Sequence, residues 1–320
     1  MFWSTSDGTE VTHWESAHSF LLTDRLSVTV AGEVLLSALI LAANTLVIFV
    51  VVGAPALRTP GNYFVLSLTA ADILSGTSIV FVILSICHRN FSSAGLLCKW
   101  RFTFLAVWWS ASLHGLLAIA LDRSLAILKP LRYCKMATER RSLFVIFVVW
   151  SYSLILGFCL YVKFDSGRVK RCDLFFDVPR SYLKYFVLNF SFVLLVIAIC
   201  YCKIFFVARK QAKNCFGRSP PLCTRASKHV RTLALVVGVL FVCWMPVVVV
   251  LLLELAGNGD GRDLQTARLV ACFFSQIGSA VNPIVYSFGN GEFRTAAKNI
   301  FCRGRSVSRR QTVPTVTTAL

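Results

Sequence analysis

A chain of 320 residues that is 56% hydrophobic, with a mean hydropathy of +0.69 and only 15% charged residues, falls far below the roughly 25% charge content of soluble domains and excludes that class. Its formal net charge of +18 does not point to nucleic acid, because the Lys and Arg residues lie in short segments between apolar blocks rather than on one polar domain. The 12 cysteines are scattered without metal-type pair spacing, most of them inside apolar runs where a thiol packs as a small hydrophobe.

The first residues, MFWSTSDGTEVTHWESAHSF, are polar and acidic and lack the basic-then-apolar layout of a cleavable signal peptide. Seven segments then supply the roughly 20 mostly apolar residues that a helix needs to cross hydrocarbon. They are 28–52, 62–86, 98–127, 142–161, 181–207, 230–255 and 264–288. The fold class is therefore an all-α membrane protein, a seven-transmembrane helix bundle. Nearly every turn is apolar, so length rather than periodicity carries the assignment.

Orientation follows from where the basic residues collect beside short loops. Arg58, the 129–141 and 203–228 loops, and a tail with Arg294, Lys298, Arg303, Arg305, Arg309 and Arg310 fall on one side, which is expected to be cytosolic. The N-terminus, with Asp7, Glu10, Glu15 and Asp24 against Arg25, is expected outside. The chain divides into an extracellular tail 1–27, a membrane domain 28–288, an amphipathic helix 289–302 and a cytosolic tail 303–320. In the amphipathic segment Phe293, Ile300 and Phe301 are expected to face lipid, and the adjoining Cys302 is a palmitoylation candidate. Asn90 heads a glycosylation sequon in an outer loop; Asn189 heads a second sequon buried in a span.

Within the third span, LLAIALDRSLAI places Asp122 and Arg123 side by side in an apolar run. Each charge there costs about 2.5–3.5 kcal/mol on insertion scales, so a partner is required. Other polar or helix-kinking residues punctuate the spans: Asn44, Asp72, Trp150, Tyr201, the CWMP stretch ending at Pro246, and the stretch Asn282-Pro283-Ile284-Val285-Tyr286. Asp72 at mid-membrane needs polar neighbours, and Asn44, Ser112, Ser279 and Asn282 can face it in a bundle.

In this order, one set to each span, these residues resemble those of the rhodopsin-like (class A) G-protein-coupled receptors. The resemblance implies that Trp244 senses ligand while Pro246 and Pro283 kink their helices. It implies that the sixth span swings outward, Arg123 leaves Asp122, and Tyr201 and Tyr286 hold the open state. It also implies a disulfide between Cys98 and Cys172, and a sodium ion at Asp72 and Ser112 as an alternative to a protonated Asp72. The implied partners are a heterotrimeric G protein, arrestin, receptor kinases, a small extracellular ligand and the bilayer of the plasma membrane. Thr318-Ala319-Leu320 matches the ending that PDZ-type domains read.

The seventh span has no Lys to carry retinal, and Leu105 occupies the position of the amine-binding Asp. VTVAGEVLLSALILAANTLV, with its intramembrane Glu33, and SQIGSAVNPIVY are similar to adenosine receptors, which places Glu33 opposite Gln276 beside Ser275. However, Leu251 replaces the adenine-holding Asn, Val247 and Val248 stand beside it, and Leu174-Phe175 replaces the outer-loop Phe-Glu. A site lacking those groups loses several kcal/mol toward a purine. The expected ligand site is Glu33, Leu105, Trp109, Phe175, Trp244, Val247, Val248, Leu251, Ser275 and Gln276. A lipid amide or other small amphiphile suits it better than adenosine; a purine receptor and a peptide receptor are the alternatives. A transporter or channel would call for repeats or charged pore rings, and an intramembrane hydrolase for clustered His; neither pattern is present in the sequence.

Overall fold

In the computed structural model, described over residues 8–81, 95–168, 178–214, 238–239, 241–257, 262–289 and 291–310, every regular element is a helix. Six helices are long and apolar enough to cross a membrane: Val30–Gly53, Pro60–Phe81, Gly95–Leu128, Glu139–Lys163, Arg180–Val207 and Thr266–Val285. The sixth span in chain order is the apolar helix Phe241–Leu255, shorter because most of 230–240 lies outside the described residues. The fourth, fifth and seventh spans start and end close to the expected bounds. The first departs from them: its helix runs back to Gly8, through residues expected to form a tail.

The third span is the axis of the bundle. It packs against the second, fourth and fifth spans, and 72% of its apolar window is buried, against 22% for the fourth. The first span packs against the second and the seventh. Where the third and fourth spans cross, Gly157 leaves no room for a side chain. A Cβ there would stand 2.3 Å from Val107 Cγ2 and 3.2 Å from the Thr103 carbonyl oxygen. Close backbone approach at small residues drives helix association in lipid, where there is no hydrophobic force between apolar surfaces.

Two further elements frame the end that carries Asp122. A short helix, Pro130–Met136, follows the third span in what the sequence presents as a loop. After the seventh span, the helix Gly291–Arg310 extends past the expected end at 302. Its Phe293 is 7% exposed and therefore faces the bundle, contrary to the expected lipid-facing role. Ile300 packs on the core, with its Cδ1 3.3 Å from where a Cβ at Gly53 would lie, while Phe301 is exposed beside Phe49.

Gly157→Val is expected to destabilise the protein by about 1–3 kcal/mol through overpacking of the third and fourth spans. Thermal unfolding of the purified protein in detergent checks this; an unchanged midpoint would show that the crossing is looser than described.

Candidate functional site

Three groups of side chains carry chemistry, and the third span joins them. At its centre, Asp72 is 0% exposed and its carboxylate accepts three hydrogen bonds. Ser112 Oγ donates at 3.1 Å and Ser279 Oγ at 2.7 Å to Oδ1, and Asn282 Nδ2 at 2.8 Å to Oδ2. Asn44 donates from Nδ2 to the carbonyls of Ile40, at 2.9 Å, and Ser279, at 3.0 Å. The five residues expected to meet do meet, and they tie the first, second, third and seventh spans. Their oxygens form a hard donor set of the kind that suits an alkali cation, so the residues present fit the ion that the sequence implies.

Nearer the Pro130–Met136 helix, Arg123 Nε lies 3.8 Å from Asp122 Oδ2. That is an ion pair without a close hydrogen bond. Asp122 Oδ1 instead accepts from the Tyr133 hydroxyl at 3.0 Å, while Oδ2 is buried without a hydrogen-bond partner among the described residues. Burial and the neighbouring Asp122 carboxylate push the Tyr133 phenol above its ordinary pKa, so it remains a donor at neutral pH. Tyr133 was missed at the sequence level; the LKPLRY segment that follows the Asp-Arg pair holds it, with Pro130 at the first turn of its helix. Tyr201 is buried on the fifth span within electrostatic reach of Arg123. Tyr286 lies on the seventh-span helix, and its side chain falls outside the described residues.

Toward the Cys98 end lies a small cavity, lined among others by Phe102, Leu105, Trp109, Tyr182, Phe186 and Leu251. Among the described residues the lining is apolar except for the Tyr182 hydroxyl, which donates to the Leu156 carbonyl at 3.3 Å and is thus occupied. Trp109 meets Trp244 edge-on, with centroids 6.0 Å apart at 82°, and Phe190 stands 5.3 Å from Trp244. Trp244, Val247 and Val248 are buried in the adjoining core without lining the cavity. At Gly278 a Cβ would stand 3.3 Å from Cys243 Cβ and 3.9 Å from Trp244 Nε1, so the seventh span presses closely on this aromatic group.

The expected ligand set therefore divides. Leu105, Trp109 and Leu251 line the cavity, whereas Glu33 and Gln276 hydrogen-bond each other where the first and seventh spans meet. Ser275 Oγ turns back to the Cys272 carbonyl at 2.7 Å. Separation follows from the bundle: the first and seventh spans are neighbours, while the cavity opens on the far side of the third span toward the fifth. The lining from Tyr182 and Phe186 was not anticipated, although their spacing of four, continued at Phe190, marks one face of a helix. Phe175, Cys172 and Asn90 lie outside the described residues. Cys98 is disulfide-bonded, Asn189 sits within the fifth-span helix, and Cys302 carries an exposed free thiol.

Known proteins resemble this chain over most of its length. Residues 43–286 match the family described as 7 transmembrane receptor (rhodopsin family). Adenosine receptor A2b from Homo sapiens is 33% identical over 304 residues, covering 86% of this chain and 90% of that receptor. Adenosine receptor A2a from Homo sapiens is 30% identical over 299 residues, covering 86% and 72%. Histamine H2 receptor from Cavia porcellus is 30% identical over 298 residues, covering 86% and 80%.

Asp72→Leu would leave three buried donors unpaired, at about 1–3 kcal/mol each, whereas Asp72→Asn keeps a hydrogen-bonding side chain. Thermal unfolding is expected to show the Leu variant far less stable than the Asn variant. Equal stabilities would mean that the cluster is satisfied in some other way.

Proposed function

Because the chain belongs to the rhodopsin family of seven-transmembrane receptors, a receptor family without enzymatic activity, we propose that it binds a small extracellular ligand in the helix bundle and activates heterotrimeric G proteins. The ligand of this reading is an apolar or amphiphilic molecule rather than adenosine. One observation carries it: among the described residues, the cavity beside Trp109 and Leu251 offers no uncommitted polar side chain to a purine. A purine's hydrogen-bonding groups would be stripped of water there without replacement, at a cost of several kcal/mol. An apolar chain meets no such cost.

The signal runs from the cavity wall to the Asp122 end. A ligand wedged against Trp109 presses on Trp244, two residues from Pro246 on the sixth span. Pro246 removes a backbone hydrogen bond and makes that helix easy to bend. Bending swings its cytosolic end outward and frees Arg123 from Asp122. The switch residues are Asp122, Arg123, Tyr201, Trp244, Pro246, Asn282, Pro283 and Tyr286. A ligand does this only to the extent that it binds the open state better than the closed one. A sodium ion held by Asp72 and Ser112 would favour the closed state by fixing the seventh span against the second and third. Arrestin, receptor kinases and a PDZ-type domain reading Thr318–Leu320 are further cytosolic partners of this reading, and Cys302 is its acylation site.

Radiolabelled adenosine is expected to show no saturable, competable binding to the purified protein at sub-micromolar concentration; such binding would overturn the choice of ligand class. Tyr133→Phe removes the hydroxyl bonded to Asp122 and is expected to raise ligand-independent second-messenger output several-fold in transfected cells. Unchanged or lower output would mean that Asp122 needs no help from Tyr133 to restrain Arg123.

A further inference from the structure

At the Cys98 end, Arg268 of the seventh span is 5% exposed, and its guanidinium is paired with the carboxylate of Glu254 on the sixth span, itself largely buried. Burying two charges incurs a desolvation penalty that their attraction only repays, so such a pair is a poor device for stability alone. Its position suggests a use. Glu254 lies three residues, about one helical turn, beyond Leu251, which lines the cavity, so the pair stands at the rim of an apolar chamber. A second acid and base, Glu33 and Arg101, interact electrostatically on another side of the same end.

In both pairs the base belongs to a helix end, and Arg101 adjoins a connection that carries Arg without Asp or Glu. Residues 254–268 hold two Arg against three acids, whereas across residues 87–101 and 163–184 nine Lys and Arg stand against three Asp. The inward-positive bias of membrane proteins disfavours this on an outer face. A positive rim above a low-dielectric cavity draws anions in and repels ammonium groups.

We infer that the cavity takes an acidic amphiphile, whose anionic head group seats on Arg268 by displacing Glu254 while its hydrocarbon chain fills the chamber lined by Phe102, Leu105, Trp109 and Leu251. This rests on the reading of that cavity as the ligand site. Glu254 is then the resident stand-in for the ligand's carboxylate: it keeps the guanidinium paired in the empty site and gives way by exchange. A planar guanidinium meets either carboxylate with the same forked geometry, so the exchange conserves the ion pair. Release of Glu254 also unties the outer ends of the sixth and seventh spans, which links occupancy of the rim to movement of the sixth.

The test is saturable binding of radiolabelled decanoate and decanamide to the full-length protein in neutral-lipid nanodiscs, with empty nanodiscs subtracted and with decylamine and inorganic phosphate as competitors. The wild type is expected to bind decanoate at least tenfold more tightly than decanamide, with neither decylamine nor millimolar phosphate competing. Arg268→Gln is expected to abolish that preference and Arg268→Lys to keep part of it. Glu254→Gln, which removes the resident competitor, is expected to tighten decanoate binding at least tenfold and leave decanamide unchanged. Each variant supplies its own ratio of the two ligands, so a reduced folded fraction does not disturb the readout.

Decanamide binding with no preference for decanoate, or a Glu254→Gln variant that weakens both ligands equally, would reduce the pair to a structural tie and overturn the inference alone. Displacement of decanoate by millimolar phosphate would make this a site for free anions and overturn the amphiphile. Failure of both decanoate and decanamide to saturate above empty nanodiscs would overturn the reading of the cavity itself.

Discussion

A carboxylate with no exposure at the centre of a membrane bundle governs the rest of this protein. Asp72 cannot be solvated by lipid, so the second span must lie where the third and seventh can offer Ser112, Ser279 and Asn282 to it. Asn44 then fixes the first span against the Ser279 carbonyl. Four helices are placed in rotation and depth by groups that hydrocarbon will not tolerate unpaired. Apolar packing, including the close crossing at Gly157, fills in around them.

The two ends of the bundle differ in how firmly they are held. Around Asp72, Ser112, Ser279 and Asn282 satisfy both carboxylate oxygens. At Asp122 one oxygen is bonded to Tyr133, and the other is buried with only a 3.8 Å approach from Arg123, whose side chain is 43% exposed. Ser124, the residue after Arg123, is also buried with its hydroxyl unpaired among the described residues. A firm centre and an incompletely satisfied end make a device that can change at the end without coming apart at the centre. The aromatic contacts from Trp109 to Trp244 and Phe190 give the cavity a mechanical connection to the sixth span.

What the sequence disclosed and what it concealed divide along one physical line. Polar groups in hydrocarbon are expensive, so Asp72, Asn44, Ser112, Ser279 and Asn282 stand out, and their meeting follows almost without geometry. Apolar residues in apolar helices carry no such mark: Tyr182 and Phe186 line the cavity, while Leu188 and Phe192 on the same helix are exposed toward the lipid side. Glu33 and Gln276 pair as expected but do not line this cavity, because a list of residues does not say which side of the third span they occupy. Tyr133 and the Glu254–Arg268 pair were passed over as loop and helix-end residues; an acid and a base at facing ends of consecutive spans were the available signal.

Nucleotide exchange on a panel of purified heterotrimeric G proteins, with the receptor in nanodiscs and no ligand added, reaches the heart of the matter. With Asp122 only partly satisfied, the wild type is expected to accelerate exchange on at least one heterotrimer above empty nanodiscs, and Arg123→Ala to lose that acceleration while remaining folded. Exchange that is accelerated equally by the wild type and Arg123→Ala, or by neither, would contradict the assignment of the Asp122–Arg123 pair as the switch.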